Sequence, residues 1–304
     1  MNTTHHVPNG KAQTVVDGVR QVYRVAGEGP LCVVQSGGPG VHPAYLRMPA
    51  LEKHLTMVYL DPIGAGDSDL LPDGDYSMPR YADFAVAVLD DIEAPGAYFL
   101  GHSHGGFVAL QMAIDHADRV DGLILYDTAP VYGQELMDTA TQEMAVFVER
   151  WSDRPEAVEA GRMWDASEVS RTLEITDDES HRRFLGAILP AYFADYRETV
   201  ERVGELDLQV THDPNRLKVE WDVRSQLQEI DVPALVIVGT HDFICPTRYA
   251  YEMAAALPHS RLCEMPGSGH FGHIEEPEAF VDAVLDFVRT GQSGGDDEQE
   301  GVRA

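Results

Sequence analysis

The sequence predicts an α/β protein: a mostly parallel sheet with helices on both faces and a helical cap inserted over one edge. Three observations carry this. Short apolar runs alternate with helix-like segments through most of the chain, as a parallel sheet requires, since each strand is reached by a crossover. The alternation then fails between Val131 and Ile230, a stretch of about a hundred residues with helical periodicity, many charges and aromatics, and no convincing strand. A glycine-flanked serine also stands where a strand pattern gives way to a helix pattern.

In chain order, TVVDGVRQVYRV alternates about Asp17 and Gly18 and reads as an opening hairpin. LCVVQ precedes a glycine-rich turn, TMVYL leads into Asp61, and AYFLG leads into Ser103. GLILYD, ALVIVG and RLCEMP complete the strand-like runs. Helix-like segments fall near Ala44 to Lys53, Pro79 to Ile92, Gly106 to His116 and Glu278 to Arg289. The division expected is a core of residues 1–130 and 231–290, a cap of residues 131–230 and a disordered acidic tail of residues 291–304, where GQSGGDDEQEGVRA lacks apolar periodicity.

Composition narrows the function classes. No run approaches the length of a membrane span, and Met1 to Lys11 holds no apolar signal-peptide core, so a cytoplasmic location is expected. The formal net charge of -29 repels nucleic acid and anionic membranes. Positive charge rests on arginine, with lysine only at Lys11, Lys53 and Lys218; a high-salt habitat and an arginine-rich codon bias both produce such a balance. Cys32, Cys245 and Cys263 lack metal-ligand spacing and read as reduced, largely buried thiols.

The chemistry concentrates in Gly101-His102-Ser103-His104-Gly105-Gly106. A G-x-S-x-G at a strand-to-helix turn strains the serine backbone and lifts its hydroxyl above the sheet, whereas alone it is also an ordinary glycine-rich turn. Further along, Asp242 follows ALVIVGTH and His270 follows RLCEMPGSG, both just past predicted strands and in the order Ser, Asp, His. Ser103 is therefore the candidate nucleophile, His270 the base that takes its proton, and Asp242 the acid that orients the imidazole. Asp127, ending GLILYD, is the reserve acid, expected to make turn hydrogen bonds.

Oxyanion donors are expected from the backbone of His104, at the helix start, and of Gly37 or Gly38 in Ser36-Gly37-Gly38-Pro39-Gly40. That loop lacks the lysine and hydroxyl of a phosphate cradle. His102, His104, His241 and His273 are not spaced as metal ligands; His104 is expected to shape the pocket and the others to pack or lie on the surface. No metal and no cofactor are assigned.

GGPG at Gly37 to Gly40, DPIGAGDS at Asp61 to Ser68, GHSHGG at Gly101 to Gly106, VGTHDFICP at Val238 to Pro246 and GSGHFGHIEEPEAF at Gly267 to Phe280 together resemble the proline iminopeptidase branch of the α/β-hydrolases. The resemblance implies a cofactor-free serine hydrolase that forms an acyl-enzyme, with Ser103, His270 and Asp242 as its triad. Serine at the elbow separates it from the similar epoxide hydrolases and haloalkane dehalogenases, which use aspartate. Ser36 stands where the branch has histidine, Pro62-Ile63 replace its usual pair, and its cap tryptophan-and-glutamate motif has no match. WSDRPEAVEAGRMWDASE carries tryptophans and acids, with Glu156 reading equally as part of an Asp153 capping box.

The expected partner is a small-molecule or short-peptide substrate, led by an N-terminal residue of a short peptide or an amino-acid amide. Glu143, Glu149, Asp165, Glu168 and Glu174 are the cap acids available to a substrate amine. An esterase or lactonase with a mainly apolar cap is the alternative, followed by a lyase or ligand receptor on the same scaffold.

Overall fold

Neighbouring residues of the central strands go to opposite faces of one sheet, as the two-residue period of a strand dictates. Val33, Phe99, Leu123 and Val236 join one buried cluster, and Val34, Leu100, Ile124 and Ile237 another. In the computed structural model, which describes residues 7–169, 173–204, 206 and 208–293, these strands belong to an eight-stranded sheet. Its members are β1 (Gly10–Val16), β2 (Val19–Gly27), β3 (Leu31–Gln35), β4 (Thr56–Asp61), β5 (Ala97–His102), β6 (Val120–Tyr126), β9 (Ala234–Gly239) and β10 (Ser260–Met265). The order is β1-β2-β4-β3-β5-β6-β9-β10, with pairing antiparallel through β1, β2 and β4 and parallel beyond. The remaining strands, β7 (Val131–Tyr132) and β8 (Trp221–Asp222), form a separate antiparallel pair. The fold is the α/β class that the alternation predicts.

The β1–β2 hairpin turns through Asp17 and Gly18, both with positive φ (50° and 81°), the geometry that matches strand twist in a two-residue loop. On one face of the sheet pack α1 (Met78–Asp91), α2 (His104–Asp115) and α7 (Thr247–Ala256). After the single-turn α8 (Gly272–Glu275), α9 (Pro277–Ser293) covers the other face through Phe280, Val284 and Phe287, together with Leu46 and Leu51. Those two leucines sit on separate 3₁₀ turns, Pro43–Leu46 and Leu51–Lys53, rather than on the single helix expected near Ala44 to Lys53. Pro49 accounts for the break, because it has no N–H to donate and biases Met48 away from helical geometry. At the other end of the chain, α9 runs past Thr290 to Ser293, so three residues assigned to the tail are helical; residues 294–304 lie outside the described part.

Between β6 and β9 the chain leaves the sheet and forms α3 (Gln134–Arg150), α4 (Pro155–Trp164), α5 (Asp178–Ile188) and α6 (Tyr196–Val203). Contrary to the strand-free expectation, β7 and β8 pair where this segment departs and returns, and Val41 bridges Val210. The helices share a core of Ala140, Met144, Ala160, Trp164, Phe184 and Ile188, closed from the sheet side by Val41 and Phe243. Asp177 caps α5 in a reciprocal box with Ser180. No such box forms at Asp153: Pro155 starts α4 one residue later, Arg154 becomes the N-cap, and Glu156 falls at the second helical position and pairs with Arg197.

All three cysteines are free; Cys32 and Cys245 are buried, and Cys263 on edge strand β10 is half-buried. No described helix is long and apolar enough to cross a membrane.

Candidate active site

The sheet delivers its reactive groups at the carboxyl ends of four strands: Ser103 after β5, Asp127 after β6, Asp242 after β9 and His270 after β10. Ser103 sits at φ 53° and ψ -120°, strained for a residue with a side chain. Its peptide is pinned on both sides, its N–H donating to the Tyr126 carbonyl (2.9 Å) and its own carbonyl accepting from Gly106 N–H (2.8 Å) and the Thr128 hydroxyl (2.7 Å). The tight turn leaves no room beside it. A Cβ on Gly101 would sit 2.2 Å from the Gly105 carbonyl oxygen, and one on Gly105 2.2 Å from that of Gln35. These clashes are why glycine stands two residues either side of the serine.

His270 and Asp242 meet: Nδ1 lies 2.8 Å from Asp242 Oδ2, with both side chains almost fully buried. The other carboxylate oxygen of Asp242 accepts the N–H groups of Ile244 (2.9 Å) and Cys245 (3.1 Å). His270 is held in turn by its own N–H, which donates to the Tyr192 carbonyl (2.7 Å), while the Tyr192 ring lies against its imidazole. Ser103 and His270 face one cavity without a hydrogen bond between them, and the Cys245 side chain reaches the Ser103 side chain.

Asp127 makes a bond across the sheet rather than a local turn bond. Its Oδ1 accepts from Gly239 N–H on β9 (2.8 Å), and its Oδ2 is buried without a partner. Burial, reinforced by the nearby Asp242 charge, pushes its carboxyl well above the ordinary carboxylate range.

The expected oxyanion donors separate. His104 opens α2, so its N–H has no partner in a preceding turn. Gly38 lines the Ser103 cavity. Gly37 differs from expectation: its N–H donates to the Tyr45 hydroxyl (2.8 Å), which removes it as a donor in this state. What Gly37 contributes is clearance, because a Cβ there would stand 2.7 Å from Ser103 Cβ.

His102 and His273 are interior hydrogen-bonding residues. The His102 ring spans the Tyr45 hydroxyl (2.7 Å) and the His270 carbonyl (2.8 Å), and that of His273 spans the Tyr126 hydroxyl (2.8 Å) and the Tyr45 carbonyl (3.0 Å). Burial holds His102 well below the usual imidazole range, His273 down to about 4 and His104 down to about 3, the last aided by Arg216. His104 lines the cavity, whereas His241 is exposed. His102, Asp127 and His270 could each offer one ligand atom within 4.8 Å of the others. Both His102 ring nitrogens and His270 Nδ1 are committed to the bonds above, so the cluster reads as a hydrogen-bonded support.

The cavity measures about 210 Å³. Trp164, Phe184, Ile188, Leu136, Met137 and Tyr192 give it a mainly apolar wall, and of the five cap acids only Glu168 lines it. Sequence reading missed Tyr45, Thr128 and the pair Glu275 and Glu276. Glu275 accepts from Gly269 N–H (2.7 Å) and Ala194 N–H (2.9 Å), and Glu276 from Gly267 N–H (2.9 Å) and the Ser268 hydroxyl (2.6 Å). The two acids thus hold the loop that presents His270, and the adjacent IEEP run was the available signal.

Residues 30–277 match the family model described as the alpha/beta hydrolase fold. The chain belongs to that family. It is similar to a 2-hydroxymuconate semialdehyde hydrolase of Pseudomonas sp. (strain CF600), with 27% identity over 95% of this chain and 97% of the relative. Among solved structures it is similar to an enol-lactonase from Burkholderia xenovorans LB400, at 28% identity and TM-score 0.69, covering 91% of this chain and all of the other (100%). A proline iminopeptidase from Mycobacterium smegmatis aligns at 20% identity and TM-score 0.69 over 94% of this chain and 100% of its own, a likeness of fold alone.

Proposed function

We propose that this α/β-hydrolase cleaves a small carboxylic ester or lactone through an acyl-enzyme on Ser103. The observation that carries the reading is the buried His270–Asp242 pair at 2.8 Å, facing the same small apolar cavity as a serine held on a strained turn. The likeness to an enol-lactonase supports the choice of bond.

In this reading His270 Nε2 takes the Ser103 proton as Oγ adds to the substrate carbonyl, and Asp242 fixes the tautomer and stabilises the charged ring. The tetrahedral oxyanion is met by the N–H groups of His104 and Gly38, donors of a kind worth roughly 10²–10³ in rate each. Collapse expels the alkoxide, which leaves with the proton from His270. A water activated by the same imidazole then hydrolyses the acyl-enzyme.

A second reading, release of an N-terminal amino acid or hydrolysis of its amide, draws on Glu168, the cap acid that reaches the cavity and could pair with a substrate ammonium. One panel separates them: p-nitrophenyl esters, lactones, and a proline arylamide beside its N-acetyl twin. Ester or lactone turnover, with both arylamides poor, is expected. Arylamide turnover that falls tenfold or more on acetylation would replace it with the amine reading. Failure of a fluorophosphonate to label Ser103 would remove both.

A further inference from the structure

Arg216 lies in a groove beside the Ser103 cavity. Its guanidinium lies over the Tyr76 ring, 3.6 Å from the centroid, and Nη1 donates to the Tyr81 hydroxyl (3.1 Å). No salt bridge joins it to a carboxylate among the described residues, and Nη2 is buried with no hydrogen-bond partner there. The acid nearest in sequence, Asp213, is turned to other work: it accepts from the Tyr76 hydroxyl (2.6 Å) and from Asn215 N–H (2.8 Å). In a chain with 51 acidic and 22 basic residues, this guanidinium is clamped by aromatics where acids could have neutralised it. A partly desolvated cation without a counter-charge is costly unless something anionic completes it.

Arg216 lines two recesses that share wall residues with the Ser103 cavity. His104, Tyr132 and Glu168 border both the Ser103 cavity and a neighbouring groove of about 640 Å³ that Arg216 and Lys218 line. His181 borders both the Ser103 cavity and a recess that Arg216 also lines, and its buried Nδ1 has no partner among the described residues. Burial, the neighbouring His212 and the Arg216 charge lower His181 to about 4, so it faces the site as a neutral ring. Glu168 and Glu220 stand on the groove wall too, which leaves Arg216 and Lys218 as its positive groups.

We propose that Arg216 binds a carboxylate on the substrate, so that Ser103 acts on anionic acyl compounds: half-esters of dicarboxylic acids, or lactones bearing a free carboxylate. Nη1 is engaged by Tyr81, so the unpartnered Nη2 is the donor left to make a charge-assisted bond to a carboxylate. The recognition group is also needed, since a chain of net charge -29 repels an anionic substrate at long range. This assignment rests on the serine-hydrolase reading.

The test pairs mono-p-nitrophenyl succinate, glutarate and adipate with the neutral butyrate, valerate and hexanoate esters. At one chain length the charged ester should exceed its twin at least tenfold in kcat/KM. Arg216→Gln should cut that preference at least tenfold, and Arg216→Lys should restore part of it; circular dichroism melts confirm folding of each. Calorimetry with free glutarate and adipate reads the same site without chemistry, with affinity falling at least tenfold in Arg216→Gln. Charged esters no better than their twins at any length, equal losses on both substrates in Arg216→Gln, or hydrolysis of neutral esters with no dicarboxylate binding would each overturn the proposal and leave the hydrolase reading standing. If no ester is turned over, that reading fails, and calorimetry alone then decides for or against Arg216.

Discussion

Asp242 Oδ2 lies 2.8 Å from His270 Nδ1, while Asp127, one strand away, gives one oxygen to the Gly239 amide and keeps the other buried and unpartnered. Two carboxyl groups near one imidazole invite a shared role, but their environments divide them. Asp242 is bonded to the ring and to two backbone N–H groups, whereas burial and the Asp242 charge favour the neutral acid at Asp127. Asp242→Asn should therefore lower kcat by roughly 10³–10⁴-fold through the wrong imidazole tautomer, and Asp127→Asn should stay within about threefold of wild type, since an amide preserves the bond from Gly239. A larger kcat loss in Asp127→Asn would move the acid to β6.

Ser103→Ala and His270→Ala are each expected to reduce turnover by roughly 10⁴-fold or more, and the double variant to be little worse, because in the proposed mechanism the residues form one proton-transfer unit. Steady-state kinetics on the best ester of the panel checks this. Near-normal activity in Ser103→Ala would end the assignment.

Gly37 and Tyr45 form a support for Ser103 that can be tested separately from it. Gly37→Ala places a methyl 2.7 Å from Ser103 Cβ and 3.0 Å from His102 Nδ1, and should lower kcat by roughly 10²-fold or more. Tyr45→Phe strips the hydroxyl that joins Gly37 N–H to His102. Its loss should be smaller, about tenfold, and should fall on kcat rather than KM. Unchanged kcat in Tyr45→Phe would reduce that network to packing.

Glu275 gives a pH dependence of stability with a definite sign. Burial raises its carboxyl to about 7, despite the N–H groups of Gly269 and Ala194 that favour the charged form. The folded chain therefore holds a proton that the unfolded chain has already released above the ordinary carboxylate value of about 4.3. Stability from this group is full below that value and declines as pH rises towards about 7, then stays level. Urea denaturation between pH 4.5 and 8 should show a shallower decline in Glu275→Gln than in wild type. Parallel curves would show that Glu275 keeps an ordinary ionisation in the folded protein.

The strands and the placement of Ser103, Asp242 and His270 were legible because each rests on local pattern: an apolar run, a turn and one polar residue just past it. The break at Pro49 was equally local and open to reading. Other features depend on contacts that sequence spacing does not carry. Gly37 reads as a donor until Tyr45, eight residues on, turns its hydroxyl to it. Cap acids look alike in so acidic a chain, and only the packing of α4 against α3 and α5 brings Glu168 to the cavity while leaving Glu149, Asp165 and Glu174 exposed. Nothing in the sequence singles out Arg216; its surroundings are set by Tyr76 and Tyr81, more than a hundred residues earlier.

The cap aromatics provide the last prediction, because they resemble one another in sequence and diverge in place. Trp164 and Tyr192 line the Ser103 cavity, and Trp164 is fixed by its indole N–H to the Thr141 hydroxyl (2.9 Å). Trp151 instead stacks against Arg154, 3.5 Å from its ring centroid, outside the cavity. Trp164→Leu keeps an apolar wall but enlarges the space for the acyl chain. It should raise KM for a six-carbon acyl ester by roughly tenfold or more, while acylation by p-nitrophenyl acetate, which does not reach that wall, changes by less than about threefold. Trp151→Leu should leave the ratio of the two substrates untouched. If both variants shift that ratio equally, or Trp164→Leu lowers both substrates alike, the wall acts on the stability of the cap and not on the choice of acyl chain.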